Sequence, residues 1–284
     1  MLRPEVFAKF AFFSGEVPAG FYADAIGSLI NRRFVMAEEE VRKWGSYFGR
    51  YDEPDRDCEF FEWVDLLQAV ADANGTFTMI ELGAGYGRWL VAADMACRQK
   101  RLASRLIGVE AEPTHFEWMK QHMRTNGLAL ENHTLINAPV AATRRVVLFA
   151  AGKPRESYGQ AIVNNHNEGP GYEKIEMTAV TLDEILAPLP MVDHIDMDIQ
   201  GAELEVVQAS IGHMTRKVRR VHIGTHSREI EDALRELFAA HGWRAEWDFP
   251  CFEECDTAFG RFSFEDGVQG WRNDRLFARS LRTN

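Results

Sequence analysis

Apolar positions along the chain change their period several times, and each change predicts an element. Between residues 60 and 70, Phe60, Phe61, Trp63, Val64, Leu66, Leu67 and Val70 recur three and four apart, the spacing of an amphipathic helix that Asn74-Gly75 ends. Residues 1–75 as a whole are rich in aromatics and are expected to be mainly helical, a cap over the remainder. From Phe77 onward short apolar runs alternate with helical periods. Strands are expected at 77–80, 105–110 and 133–137, with helices at 88–99 and 113–126. Pro113 suits the first turn of the second helix and Gly127 its stop.

The alternation breaks between 140 and 180, where apolar runs at 146–149, 161–163 and 175–180 read as strands of a β-rich insert. It then resumes with a strand at 192–198, a helix at 203–210, a strand at 218–224 and a helix at 228–240. In that last helix Ile230, Leu234, Leu237 and Phe238 share one face. Two more strands are expected in the tail, at 243–249 and 261–264. Strands and helices in this order imply an α/β fold with a doubly wound, mostly parallel sheet over residues 76–284, preceded by the cap at 1–75.

Composition narrows the partners. With 284 residues and 46% of them hydrophobic, the chain can bury a large core. A formal net charge of −11 argues against a nucleic-acid backbone as ligand, because an acidic surface repels phosphate. The four cysteines, Cys58, Cys97, Cys251 and Cys255, form no Cys-x-x-Cys pair and read as reduced thiols. The first residues lack a signal-peptide core, and no apolar run approaches the roughly 18 residues a membrane helix needs. A cytoplasmic protein with no membrane contact is expected. Oligomeric state has no signature here.

The densest chemical signal follows the first strand of the α/β region. Glu81-Leu-Gly83-Ala-Gly85-Tyr86-Gly87 places three glycines in a strand-to-helix turn, where the backbone can bend tightly and approach a ligand. Glu110, with Ala111 beside it, ends the next strand, where a carboxylate can accept both hydroxyl protons of a ribose. Asn137-Ala138 ends the third strand and is a candidate wall for a base. Dinucleotide enzymes share such a turn and acid, but their Gly-x-Gly-x-x-Gly spacing sets a pyrophosphate on the helix N-terminus. Here the spacing is Gly-x-Gly-x-Gly, and Glu81 stands before the first glycine, a poor neighbour for phosphate. S-adenosylmethionine, cationic and without phosphate, fits better than NAD. A binding module without catalysis remains open at this point.

A second group lies further on. His194, Asp196 and Asp198 alternate along one strand, and His222, Gly224 and His226 along the next. Asp198 and His226, nearest the strand ends, are the candidates for chemistry: one positions an acceptor and the other takes its proton. His194, Asp196 and His222 read instead as a buried hydrogen-bond network. No further acid stands at a telling spacing, so no metal is assigned.

These motifs resemble the FkbM family of S-adenosylmethionine-dependent methyltransferases. The likeness rests on Glu81 to Gly87, on Gly108-Val-Glu110-Ala-Glu112-Pro113, on Val180-Thr-Leu-Asp183-Glu184-Ile, and above all on Asp198-Ile-Gln200-Gly201-Ala202-Glu203. It runs from about residue 77 to 245. The resemblance implies a Rossmann-like class I methyltransferase fold and transfer of a methyl group to a hydroxyl of a sugar or secondary metabolite. It implies donor binding by Glu81, Gly83, Gly85, Gly87 and Glu110, and active-site roles for Asp198 and Glu203. Two departures stand out: Gln200 replaces a usual glutamate, and Asp196 stands where lysine is common. N-methylation of a small amine and an NAD-dependent dehydrogenase are the alternative reactions.

Overall fold

A computed structural model describes residues 2–156, 158–163 and 172–280. Its centre is a seven-stranded sheet. In chain order the strands are β1 (Thr76–Leu82), β2 (Ala103–Val109), β3 (Thr134–Ile136), β4 (Val192–Met197), β5 (Val218–Thr225), β6 (Arg244–Phe249) and β7 (Gly267–Arg272). Across the sheet they run 3-2-1-4-5-7-6. The pairs among β1 to β5 are parallel, whereas β7 runs antiparallel between β5 and β6. The order reverses between β1 and β4, and ligands of open α/β sheets bind above such a switch point. This is the class I methyltransferase fold.

Period-two alternation separates two cores. Phe77, Met79 and Leu106 face one side and pack with α1 (Phe60–Asp72), α2 (Arg88–Lys100) and α3 (Pro113–Thr125). Ile80, Leu82, Ile107, Val109, Ile195 and Met197 face the other, against α4 (Glu203–Lys217) and α5 (Arg228–Ala240). Their polar neighbours in register therefore lie on the α1 side. Glu81 on β1 is paired with Asp196 on β4, and Asp196 with His222 on β5. Three ionisable side chains thus cross the sheet side by side, directly beneath α1.

The N-terminal segment corrects the expected helical cap. Only α1 is a substantial helix. Before it, Ser14–Val17 pairs with Tyr47–Arg50 and Phe21–Ala23 with Leu29–Asn31, with helical stretches of only three to five residues at Glu5–Lys9, Arg32–Phe34 and Glu38–Val41. Glycines at 15, 20, 27, 45 and 49 punctuate the segment too often for a helical face to build up. In the insert, Val146–Ala151 and Glu173–Thr178 form an antiparallel pair. The strand expected at 161–163 is reduced to a bridge between Phe149 and Ile162, flanked by two backbone hydrogen bonds.

The tail held a surprise. Gly260–Phe264 pairs with Glu253–Thr257 as a hairpin, but β7, for which the sequence pattern gave no strand, enters the central sheet. Gly267 and Gly270 hid it, because glycine inside a strand lowers its signal. Both are needed there. A Cβ at Gly270 would stand 2.5 Å from Trp247 and 2.7 Å from the Asp65 carboxylate.

Candidate active site

Above the switch point lies a cavity of about 460 Å³. The loop from β1 to α2 forms one wall. Gly83, Gly85 and Gly87 all adopt positive φ, at 80°, 52° and 72°. Gly83 is held hardest: a Cβ there would sit 1.8 Å from the Asp198 carbonyl oxygen, so the loops after β1 and β4 pass in direct contact. At Gly85 an added Cβ would meet the Tyr158 ring at 3.2 Å. Tyr86 is buried, stacks on Phe34 and accepts a hydrogen bond from His122 through its carbonyl.

Glu81 has a more local task than holding a ligand cation. It is buried, and its Oε2 accepts the backbone N–H of Leu90 at 3.1 Å, in the first turn of α2. A helix N-terminus is where a dinucleotide enzyme seats pyrophosphate. Here the Glu81 carboxyl group occupies part of that place and takes one of the helix amides, and burial pushes its pKa well above the usual carboxylate range.

Glu110 lies at the cavity wall after β2. Its Oε2 accepts the Gly85 N–H at 2.6 Å and its Oε1 accepts the Glu112 N–H at 2.6 Å. Burial raises it to about 7 despite those amides. Each oxygen retains a lone pair for a further donor. Asn137 does not line the cavity; its Nδ2 donates to the carbonyls of Glu110 and Ala111 and clips β2 to β3. The wall is made instead by Ala111, Ala138, Val140, Phe149 and Ile162, an apolar slot to which the insert contributes.

The other half of the cavity is acidic. Glu59 and Glu62 from the start of α1, Asp196 and Asp198 from β4, and Glu265 and Asp266 before β7 all reach it. Asp198 Oδ1 accepts Gln200 Nε2 at 2.7 Å. A glutamate at 200 would set two carboxylates together; the amide here donates instead, which gives that departure from the family pattern a physical sense. His226 stands behind Asp198, with Nε2 at 3.3 Å from Asp198 and 3.7 Å from Asp266, and Nδ1 at 3.0 Å from Glu203. Burial lowers its affinity for a proton, but Asp198 and Glu203 outweigh burial and push it up to about 10. His226 is therefore a cation at neutral pH and not the free base expected from sequence. Glu203 is fully buried and does not line the cavity; its Oε1 accepts the N–H groups of Ile199 and Gly201 and fixes the loop after β4.

Three residues surpass their sequence reading. Asp196 and His222 line the cavity, although they were expected to be structural, whereas His194 is buried away from it. The sequence pattern does not mark Arg88. It lines the cavity beside Glu59, its ion-pair partner, and its Nε has no hydrogen-bond partner. The available signal was a cation in the first turn of α2, where the helix dipole disfavours one.

The methyltransferase FkbM domain, as a family pattern, matches residues 81–247. The chain belongs to the FkbM methyltransferase family. Over 228 residues it is 30% identical to a protein of Jannaschia sp. (strain CCS1) that is named as a methyltransferase, covering 77% of this chain and 80% of that one. Among solved structures, precorrin-6y C5,15-methyltransferase from Geobacter metallireducens GS-15 aligns at 13% identity and a TM-score of 0.46, over 87% of this chain and 97% of that one. The C-terminal domain of the Rhodobacter capsulatus precorrin-6Y enzyme aligns at 15% identity and a TM-score of 0.42, over 78% and 92%. Neither bears on the acceptor of this FkbM-family methyltransferase. Among the described residues no helix is long and apolar enough to cross a membrane.

Proposed function

We propose that this methyltransferase uses S-adenosylmethionine as donor and methylates a hydroxyl of a small, hydrophilic acceptor such as a sugar or secondary metabolite. The observation that carries the donor is the Glu81 carboxyl group bonded to the Leu90 amide at the N-terminus of α2, where a dinucleotide's pyrophosphate would otherwise sit. The residues present fit the donor. Glu110 offers two acceptor oxygens for ribose hydroxyls, the slot of Ala111, Ala138, Val140, Phe149 and Ile162 suits a flat base, and the unpaired Nε of Arg88 suits an α-carboxylate. Bound there, S-adenosylmethionine supplies an electrophilic methyl carbon on a sulfonium.

The chain's own task is then to orient the acceptor and receive its proton. Asp198, half-exposed at the cavity wall, accepts the hydrogen bond of the acceptor hydroxyl. Gln200 and the imidazolium of His226 hold that carboxylate in place, with Glu203 behind His226. Asp198 is the catalytic residue in this reading, and His226 and Glu203 are positioning residues. The acidic walls favour a second reading, N-methylation of an amine, because they attract a cation. Release of S-adenosylhomocysteine, followed by mass spectrometry with matched panels of polyols and amines, tests the choice. Turnover with hydroxylated acceptors is expected; turnover confined to amines would overturn it.

A further inference from the structure

Below the Asp198–His226 group, deeper in the same cavity, lies a cluster that methyl transfer does not use. Glu62 comes from the first turn of α1, Asp196 from β4 and His222 from β5. One ligand-type atom of each lies within 4.8 Å of the others. Asp196 is only 5% exposed, yet its carboxylate has no hydrogen-bond or ion-pair partner among the described residues, and it faces the cavity. Glu62 is likewise without one. Two unpaired carboxylates side by side, one of them almost fully buried, are costly. Something positive belongs between them.

The imidazole says what kind of cation. His222 Nδ1 is engaged by Asp65 Oδ2 at 2.7 Å, and Asp65 Oδ1 is fixed in turn by the indole N–H of Trp247, also at 2.7 Å. A carboxylate holding one ring nitrogen, so that the other is presented in a set direction, is the usual support behind a metal-bound histidine. We infer that Glu62, Asp196 and His222 bind a divalent metal ion of the manganese or zinc type, with Asp65 supporting His222. Two carboxylate oxygens and one imidazole nitrogen suit either ion, and the open cavity leaves room for water on the remaining positions. An ion with bonds of about 2.1 Å spans ligands up to about 4.2 Å apart, so a small side-chain adjustment closes the set. No spacing in the sequence betrays it, because Glu62 lies in the N-terminal segment, far upstream of the strands.

The test needs neither donor nor acceptor, so its outcome is separate from the proposed reaction. Protein freed of metal by chelator is titrated with Mn²⁺, and free ion is followed by its electron paramagnetic resonance signal. One tightly held ion per chain is expected, with affinity at least tenfold weaker in Asp196→Asn and in Glu62→Gln. Asp266→Asn, in the neighbouring group of Asp198, His226 and Asp266, is expected to bind as the parent does. In case a variant fails to fold, the unaltered protein gives a second readout: Mn²⁺ should broaden the imidazole proton resonances of His222 before those of His226. Absence of binding, wild-type affinity in a folded Asp196→Asn, or loss confined to Asp266→Asn would each overturn the inference.

Discussion

The two halves of the cavity are built in opposite ways. The half proposed for the donor, over β1, β2 and β3, is built by the loops that follow these strands, where Glu81 takes a helix amide and Glu110 takes the amides of Gly85 and Glu112. The half proposed for the acceptor, over β4, β5 and β7, gathers side chains from α1, from the strands and from the tail, and leaves carboxylates facing space. A pocket for an invariant molecule can be frozen into backbone geometry. A pocket for the variable partner is assembled from distant side chains that can change without disturbing the loop beside it.

If this contrast is right, backbone changes should cripple the donor half, and side-chain changes should act selectively on either half. The largest effect is expected from Gly83→Ala, which drives a Cβ into the Asp198 carbonyl at a positive φ. A loss of about 3 kcal/mol or more in stability is expected, with S-adenosylhomocysteine binding abolished, as measured by chemical melts and calorimetry. A normal melt with normal binding would break the comparison.

Next comes Glu110→Gln. Ribose hydroxyls donate to the ionised carboxylate, so donor affinity should rise as pH passes through about 7, where Glu110 titrates, and level off above it. The variant should bind about 10- to 100-fold more weakly at pH 8 and lose that dependence. Calorimetry between pH 6 and 8.5 checks both; an unchanged pH profile would remove Glu110 from the donor site.

A smaller effect is expected in the acceptor half. The folded value of His226, about 10, exceeds its ordinary 6.5, so its stabilisation is complete below about pH 6.5 and is lost as pH rises through 10. His226→Gln should cost about 2 kcal/mol at pH 6, after allowance for the half-exposed Asp198 and Asp266, and almost nothing above pH 10. Donor affinity should not move. Urea melts across that range sharpen the assignment, and a cost that grows with pH would contradict it.

The smallest concerns the strap between insert and N-terminal segment, where the Tyr158 hydroxyl donates to the Phe34 carbonyl at 2.8 Å. Tyr158→Phe should lose about 1 kcal/mol of stability and change donor affinity less than threefold.

What the sequence disclosed follows the same division. The glycine turn, Glu110 and the alternation on β4 were legible because short-range spacing encodes them. Asn137 was placed near the right wall but turned out to be a clip, since pattern alone does not tell which way an amide points. The roles of Asp196, His222 and Arg88 depend on register between strands and on α1 crossing above them, which no local pattern carries. β7 escaped because two glycines, Gly267 required by Glu231 and Thr225 and Gly270 by Trp247 and Asp65, erased its apolar signature. The first 59 residues misled through their aromatics, which pack in short hairpins and turns.

The central claim is that a carboxylate on the N-terminus of α2 makes this loop a site for a phosphate-free cationic nucleoside. Calorimetric titration of the protein with S-adenosylmethionine and, in parallel, with NAD tests it most directly. Saturable one-to-one binding of the first and no heat from the second is the predicted result. Saturable binding of NAD without a response to S-adenosylmethionine would contradict it.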